Sequence, residues 1–301
     1  MDLSASGLDL PADLRARLRD ISFRTPAAAP VGPLGRQMSR SRGSGLEFAQ
    51  YRGYVAGDSP RQVDWRLYAR SDRLFVRESE RDSPLSVYLV LDTSASMAQI
   101  DQARPGWSRL HAARRIAACA LEIALREDER FGLLAFTAAG PRWLASNAGR
   151  SQRDRCLAAL ATLAPDAGWP EHAVLDGFAA RIERGALVLV LSDGFDPAPI
   201  AFAKRLAAAG RSVALLRLLT AEEREFPFSG ALKLTDPETG AERECDAAGV
   251  RAGFLQRFGE ARAQLVAELA SAGVAAAEHW LDAPEDGVLR ALFAPGRSLR
   301  A

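Results

Sequence analysis

The stretch LSVYLVLDTSASMAQ, residues 85–99, sets the reading of the whole chain. Residues 85–91 are almost unbroken apolar, the pattern of a strand buried on both faces of a parallel sheet. The run stops at Asp92, and hydroxyl side chains follow at Ser94 and Ser96. One carboxylate and two serines at the tip of a buried strand can hold a divalent metal, prime a nucleophile or cap a helix. A carboxylate with neutral hydroxyls suits magnesium, a hard cation that takes oxygen ligands and keeps several waters. Serine and aspartate also cap helix N-termini, a contribution of about 1 kcal/mol. A nucleophilic serine would need a base beside it, and no histidine lies close in sequence. A phosphoaspartate mechanism of the haloacid-dehalogenase kind would want Asp-x-Asp, whereas Ser94 stands two residues after Asp92.

Outward from this stretch, strand-like and helix-like segments alternate. SRLHAARRIAACALEIALRED (108–128) has helical spacing, RFGLLAF (130–136) reads as a strand and RWLAS (142–146) as a pairing strand. Helical patterns follow at 151–163 and 171–182, then the strand ALVLVLSD (186–193), a helix at 199–210 and the strand SVALLRLL (212–219). A long amphipathic helix at 249–273 and a last strand at 275–281 complete the series. Such alternation predicts an α/β fold with a doubly wound, mostly parallel sheet. In these sheets ligands collect beyond the carboxyl ends of the strands, where the strand order reverses. Asp193, in VLVLSDGFD, ends a second buried strand and would bring another carboxylate to the edge that holds Asp92, Ser94 and Ser96.

Bulk properties exclude several classes. The 301 residues are 48% hydrophobic and 26% charged, ordinary for a globular chain, and the formal net charge is +1. No global field therefore points to nucleic acid or to a membrane surface. Nearly all basic residues are arginine, with lysine at Lys204 and Lys233. Cys119, Cys156 and Cys245 are odd in number and form no CxxC pair, which fits a reducing cytoplasm and argues against a disulfide framework or thiolate metal site. His111, His172 and His279 are equally scattered. No apolar run approaches the ~20 residues that span a bilayer, and no signal peptide is visible. No GxxxxGK[ST] loop, GxSxG elbow or HExxH helix occurs.

Two styles of sequence meet near Pro84. Before it the chain is rich in Arg, Gly, Ser and Asp, so residues 1–84 read as an N-terminal, β-containing extension and 85–301 as the α/β domain. TPAAAPVGPLG (25–35) reads as an extended connector, since its prolines exclude helix. YRGYVAGDSPRQVDW (51–65) has two readings. Trp65 could anchor a docking surface with Arg61 recognising a partner's acid. The simpler reading is a wrapped segment in which Asp58 and Asp64 pair with arginines and Trp65 lies in the core. RPGWSRLHAARR (104–115) places Trp107 among arginines, as a solvated helix start or as the rim of a partner site. TDPETG (235–240) reads as the turn of a two-stranded hairpin.

These motifs together resemble a known family. Asp92-x-Ser94-x-Ser96 followed by Met97, in a doubly wound sheet, resembles the metal ion-dependent adhesion site of von Willebrand factor A domains. Upstream, Arg52, Tyr54, Gly57, Asp58, Arg61, Asp64, Trp65, Ala69 and Arg70 resemble the hallmark series of a narrower bacterial family, domain of unknown function 58. Downstream, EREFPFSGALKLTDPETGA (223–241) is similar to that family's insertion, here a hairpin near 223–245. The resemblance implies a von Willebrand A-like fold and a non-enzymatic protein–protein interaction module. It implies an adaptor of a MoxR-type AAA+ ATPase, or of that ATPase's client, in complex assembly or maturation. It implies a magnesium ion offered by Asp92, Ser94, Ser96 and Asp193 to a partner's Asp or Glu. Many members carry N-terminal membrane helices, and this chain resembles the short soluble form, with no membrane insertion. In one respect it departs: Trp169 or Pro170 stands where the family of adhesion sites places Gly-Thr, leaving only Asp166 or Glu171 nearby to compensate. A magnesium-dependent hydrolase built on the same cluster, or a scaffold with a degenerate metal site, are the alternatives.

Overall fold

In the computed structural model of the chain, residues 8–23, 42–54, 63–80, 84–166 and 168–293 are described, those of 42–52 and 76–80 by their backbone. The chain divides into two compact units, one of residues 34–84 and one combining 1–33 with 85–301. The stretch read from sequence as a single extension thus contributes to both. In chain order the elements begin with α1 (Ala12–Arg17), β1 (Arg42–Gly53), α2 (Trp65–Ser71) and β2 (Phe75–Glu80). The sheet domain follows with β3 (Ser86–Leu91), α3 (Arg109–Arg126), β4 (Arg130–Thr137), β5 (Gly140–Asn147), α4 (Arg150–Ala161), α5 (His172–Arg181) and β6 (Leu187–Ser192). It continues with α6 (Pro197–Ala208), β7 (Ser212–Leu219), α7 (Ala221–Glu225), β8 (Ala231–Thr235) and β9 (Glu242–Asp246). Helix α8 (Ala247–Ser271), β10 (Val274–Trp280) and α9 (Glu285–Phe293) close it.

The larger unit is built on a six-stranded sheet of order β10-β7-β6-β3-β4-β5. All neighbours pair in parallel except β4 and β5, which run antiparallel. This is the doubly wound, mostly parallel sheet that the alternation of segments predicts. Counted within the sheet, the order is 3-2-1-4-5-6, so the chain reverses its direction of winding between β3 and β6.

Strand β3 shows why its sequence is apolar throughout. Side chains alternate across a strand, so Val87, Leu89 and Leu91 join one core with α3, α4 and α9, among them Ile116, Leu121, Leu160 and Leu289. Tyr88 and Val90 point to the other face, into a second core with Leu175 and Phe178 of α5, Phe202 and Leu206 of α6 and Leu269 of α8. A polar residue on either face of β3 would sit without water or partner. The first core also takes in Leu8, Leu10, Leu14, Leu18, Ile21 and Phe23. Arg17 pairs there with Asp286 at 2.9 Å, and Phe23 meets the Phe293 ring edge-on at 4.9 Å.

In the smaller unit, β1 and β2 form an antiparallel pair whose register shifts between Gly43 and Phe48 and again before Gln50. Asp64 caps α2, its carboxylate accepting from the amides of Arg66 and Leu67 at 3.0 Å each.

Two outcomes follow from packing in the larger unit. Gly132 of β4 lies against the Tyr88 ring, and a Cβ there would stand 2.6 Å from the Leu144 carbonyl and 2.7 Å from the ring. Gly132→Ala should therefore lower stability by about 1–3 kcal/mol, read as a drop in the urea midpoint. His279 is buried on β10, its Nε2 without a hydrogen-bond partner, and burial pulls its pKa down to about 4. The unfolded chain protonates this imidazole near pH 6.5, so stability is lost as pH falls from there toward 4. Urea midpoints measured across that window should show a loss of up to about 3 kcal/mol, and His279→Leu should flatten the profile.

Candidate functional site

The loop after β3 lies at the carboxyl edge of the sheet, where the winding reverses. Asp92 still pairs with the sheet through its amide, which donates to the Leu191 carbonyl at 2.9 Å. Its carboxylate faces inward and is 1% exposed. Oδ1 accepts the Ser94 amide at 2.9 Å, closing an Asx turn, and Oδ2 accepts the Ser192 hydroxyl at 2.6 Å. The Ser94 and Ser96 hydroxyls lie 3.1 Å apart and bond each other. Ser94 stands before a single 3-10 turn at Ala95–Ala98 without a side-chain cap bond, and Ser108 caps α3 instead. The two serines are therefore not helix caps. Thr93 donates its hydroxyl to the Phe136 carbonyl and is spent on packing the loop.

Burial raises the pKa of Asp92, and the bonds from Ser192 and Ser94 offset that only in part. Asp193 adds to the rise from across the winding reversal. Among the described residues no cation pairs with Asp92.

Asp193 has a different fate. Its Oδ1 accepts the Phe195 amide at 3.1 Å, and its Oδ2 takes Nη1 of Arg109 at 2.9 Å. Arg109, the first residue of α3, is 4% exposed. The same guanidinium donates to the Ser96 carbonyl at 3.1 Å and to the Glu223 carboxylate on α7. Burial raises the Glu223 carboxyl above its usual range, and Arg109 works against that rise. Arg217 of β7, also buried, donates Nε to the Asp193 carbonyl at 3.2 Å and pairs with Glu278 at 3.3 Å. Sequence reading missed Arg109. Its one signal is position: a cation in the first turn of a helix opposes the helix dipole and needs another reason to be there.

A second residue missed by sequence is Glu238, in the turn between β8 and β9. Its Oε1 accepts the Ser96 amide at 2.8 Å, so a carboxylate from the hairpin sits on the Asp92 loop.

The oxygen set at the loop is the Asp92 carboxylate, the Ser94 and Ser96 hydroxyls and the Glu238 carboxylate, hard donors that suit a hard cation. A buried carboxylate without a counter-ion fits such a cation as well. Asp193 differs in that its charge is already met by the Arg109 guanidinium. Trp169 packs its ring against Phe136 at 5.4 Å and Phe202 at 6.1 Å, inside the second core. Asp166 is exposed and accepts the Ala138 amide at 3.3 Å, and Glu171 is an exposed residue just before α5. Among the described residues no group of three or more His, Cys, Asp or Glu is placed to hold a metal ion.

The remaining candidates lie elsewhere. Trp65, in the smaller unit, is 57% exposed and stands edge-on to Tyr68 at 6.2 Å. Of its two readings the core placement is corrected: as the first residue of α2, capped by Asp64, its ring is exposed. Arg61 falls outside the described residues. Trp107 is half-buried against the first core, with the Arg104 guanidinium 3.9 Å from its ring centre and His111 stacked at 5.8 Å. Two apolar side chains not singled out in sequence are exposed in loops that flank the Asp92 site, Phe195 at 52% and Ile100 at 49%. Phe195 lies over the guanidinium groups of Arg109 and Arg217, 5.3 and 5.9 Å from its ring centre.

Comparison with known proteins gives a match over residues 50–264 to the family model described as Protein of unknown function DUF58. Uncharacterized proteins of Mycobacterium bovis and Mycobacterium tuberculosis are 28% identical over 205 residues, 67% of this chain. The chain spans 64% of the length of those relatives. Among solved structures, an aerotolerance-related membrane protein of Bacteroides fragilis is similar with TM-score 0.44 and 18% identity, covering 69% of this chain and 96% of that one. The SpRpn10 VWA domain is similar with TM-score 0.37 and 12% identity, covering 70% and 94%.

Replacing Arg109 with methionine would leave Asp193 and Glu223 buried beside each other without their shared cation. Loss of one partner of a buried pair costs about 3–5 kcal/mol. Arg109→Met should lose that much in urea unfolding at pH 7.

Proposed function

The chain belongs to the DUF58 family, and on that premise we propose that it is a non-enzymatic protein–protein interaction module. It works as an adaptor of a MoxR-type AAA+ ATPase, or of that ATPase's client, in complex assembly or maturation, and it does so in the cytoplasm. The observation that carries the reading is the Asp92 loop: a buried carboxylate without a cation, two hydroxyls beside it, and exposed Phe195 and Ile100 flanking it. Large apolar side chains left exposed beside a polar site mark it as a contact surface.

An enzyme reading lacks its activating group. The Ser94 and Ser96 hydroxyls bond each other, Ser94 also bonds the Asp92 carboxylate, and among the described residues no imidazole bonds either serine. A magnesium-dependent hydrolase would need such a base. Among the described residues no helix is long and apolar enough to cross a membrane.

Asp92, Ser94 and Ser96 would hold a magnesium ion, with Asp193 bound to Arg109 behind them. The ion would supply a hard Lewis-acid centre for the carboxylate of a partner's Asp or Glu. The residues of this chain orient that contact: Ser192 and the Ser94 amide aim Asp92, and Arg109 holds the Ser96 carbonyl and so the shape of the loop. Trp169, packed in the core where a threonine ligand is expected, favours a second reading, a scaffold whose metal site has degenerated.

Calorimetric titration of magnesium and manganese into the purified chain should give saturable binding that Asp92→Ala abolishes. A MoxR-type ATPase should be captured by the wild type and at least tenfold less by Asp92→Ala. No heat and no shift in Tm at millimolar metal would leave the scaffold reading. Capture unaffected by Asp92→Ala would move the contact away from this loop.

A further inference from the structure

The hairpin β8–β9 is built to present one acid. Asp236 organises its turn: Oδ1 accepts the amides of Glu238 at 2.9 Å and Thr239 at 3.4 Å, and Oδ2 takes the Thr239 hydroxyl at 2.7 Å. Gly240 closes the turn at φ +70°, donating its amide to the Asp236 carbonyl at 2.8 Å. A positive φ of this size is what glycine tolerates and other residues resist. The result is a pre-set loop with the Glu238 carboxylate at its tip.

That carboxylate is placed on the Ser96 amide, 142 residues away in the chain, at 2.8 Å. Among the described residues no cation pairs with Glu238. The base of the hairpin is held where Asp246 caps α8 and Ala247 donates to the Gly230 carbonyl; beyond that base, among the described residues, the strands bond each other, Lys233 pairs with Glu242 across them, and Glu238 makes the one hydrogen bond to the rest of the unit. Most hairpin side chains are exposed. A two-stranded hairpin is marginal by itself, so it can swing away without disturbing the sheet. Its acid rests on a loop that the buried carboxylate of Asp92 organises.

We propose that the hairpin is a tethered occupant of the partner site: Glu238 fills the carboxylate position at the Ser96 amide, and a partner's acidic side chain binds by displacing it. This deepens the interaction-module reading and rests on it. The hairpin itself defines the partner chemistry, an Asp or Glu at the tip of an exposed turn. Phe195 and Ile100, exposed beside the loop, select an apolar neighbour for that acid.

The test uses the full chain, with Glu238→Ala as the variant, since an exposed turn residue can be truncated without touching the core. Amide exchange followed by NMR should be at least tenfold faster at Ser96 in the variant, the expected consequence of removing a hydrogen bond to a charged acceptor. Acetate, used as the carboxylate probe, should shift the Ser96 amide resonance saturably in the variant at concentrations that leave the wild type unmoved. Unchanged exchange at Ser96, or an equal acetate response in both proteins, would overturn the proposal. Failure of metal binding or of ATPase capture would count against the functional reading and leave both of these readouts as they are.

Discussion

The guanidinium of Arg109 is the contact on which the carboxyl edge of the sheet depends. It enters from the first turn of α3 and reaches Asp193 after β6, the Ser96 carbonyl after β3 and Glu223 on α7. A buried ion pair contributes little net stability, because desolvation of both charges offsets their attraction. Its value here is geometric. Three segments that share no local sequence pattern are held at fixed separation by one planar group, and a planar fork tolerates little rotation. The site is therefore stiff on its inner side, where Asp193 and Arg109 meet, while on its outer side the Ser96 amide is taken by Glu238 from the hairpin.

That division explains the different states of the two aspartates. Asp193 has a cation and both oxygens engaged, so it belongs to the frame. Among the described residues Asp92 has only neutral donors, from Ser94 and Ser192, and carries the cost of burial as a raised pKa. A site with one compensated and one uncompensated carboxylate is asymmetric in charge, and the uncompensated one lies in the loop that Glu238 contacts. The hairpin adds a further negative group there instead of a positive one. Phe195 and Ile100 are exposed in the loops on either side.

Much of this was legible in the sequence, for a local reason. Alternation along β3 and the strand–helix rhythm arise between near neighbours in the chain, so an apolar run ending in Asp92 and another ending in Asp193 declare two buried strands and their acidic tips. The period of two in Val87, Leu89 and Leu91 against Tyr88 and Val90 already implies a core on each face. The smaller unit was harder to read: the sequence left Trp65 between a docking anchor and a core residue, whereas the Asp64 cap starts a helix there with the ring exposed.

What the sequence by itself determined is the doubly wound sheet and the presence of Asp92, Ser94, Ser96 and Asp193 at the ends of its strands, because strand period and strand length follow from local pattern. What only the tertiary structure decided is how those groups are spent. Pairing Arg109 with Asp193 needs α3 to lie across the winding reversal, and seating Glu238 on Ser96 needs an insertion to fold back over 142 residues. Neither contact leaves a periodic trace in the chain. Each depends on strand order and crossover geometry, which become definite only when the two faces of β3 are covered at once.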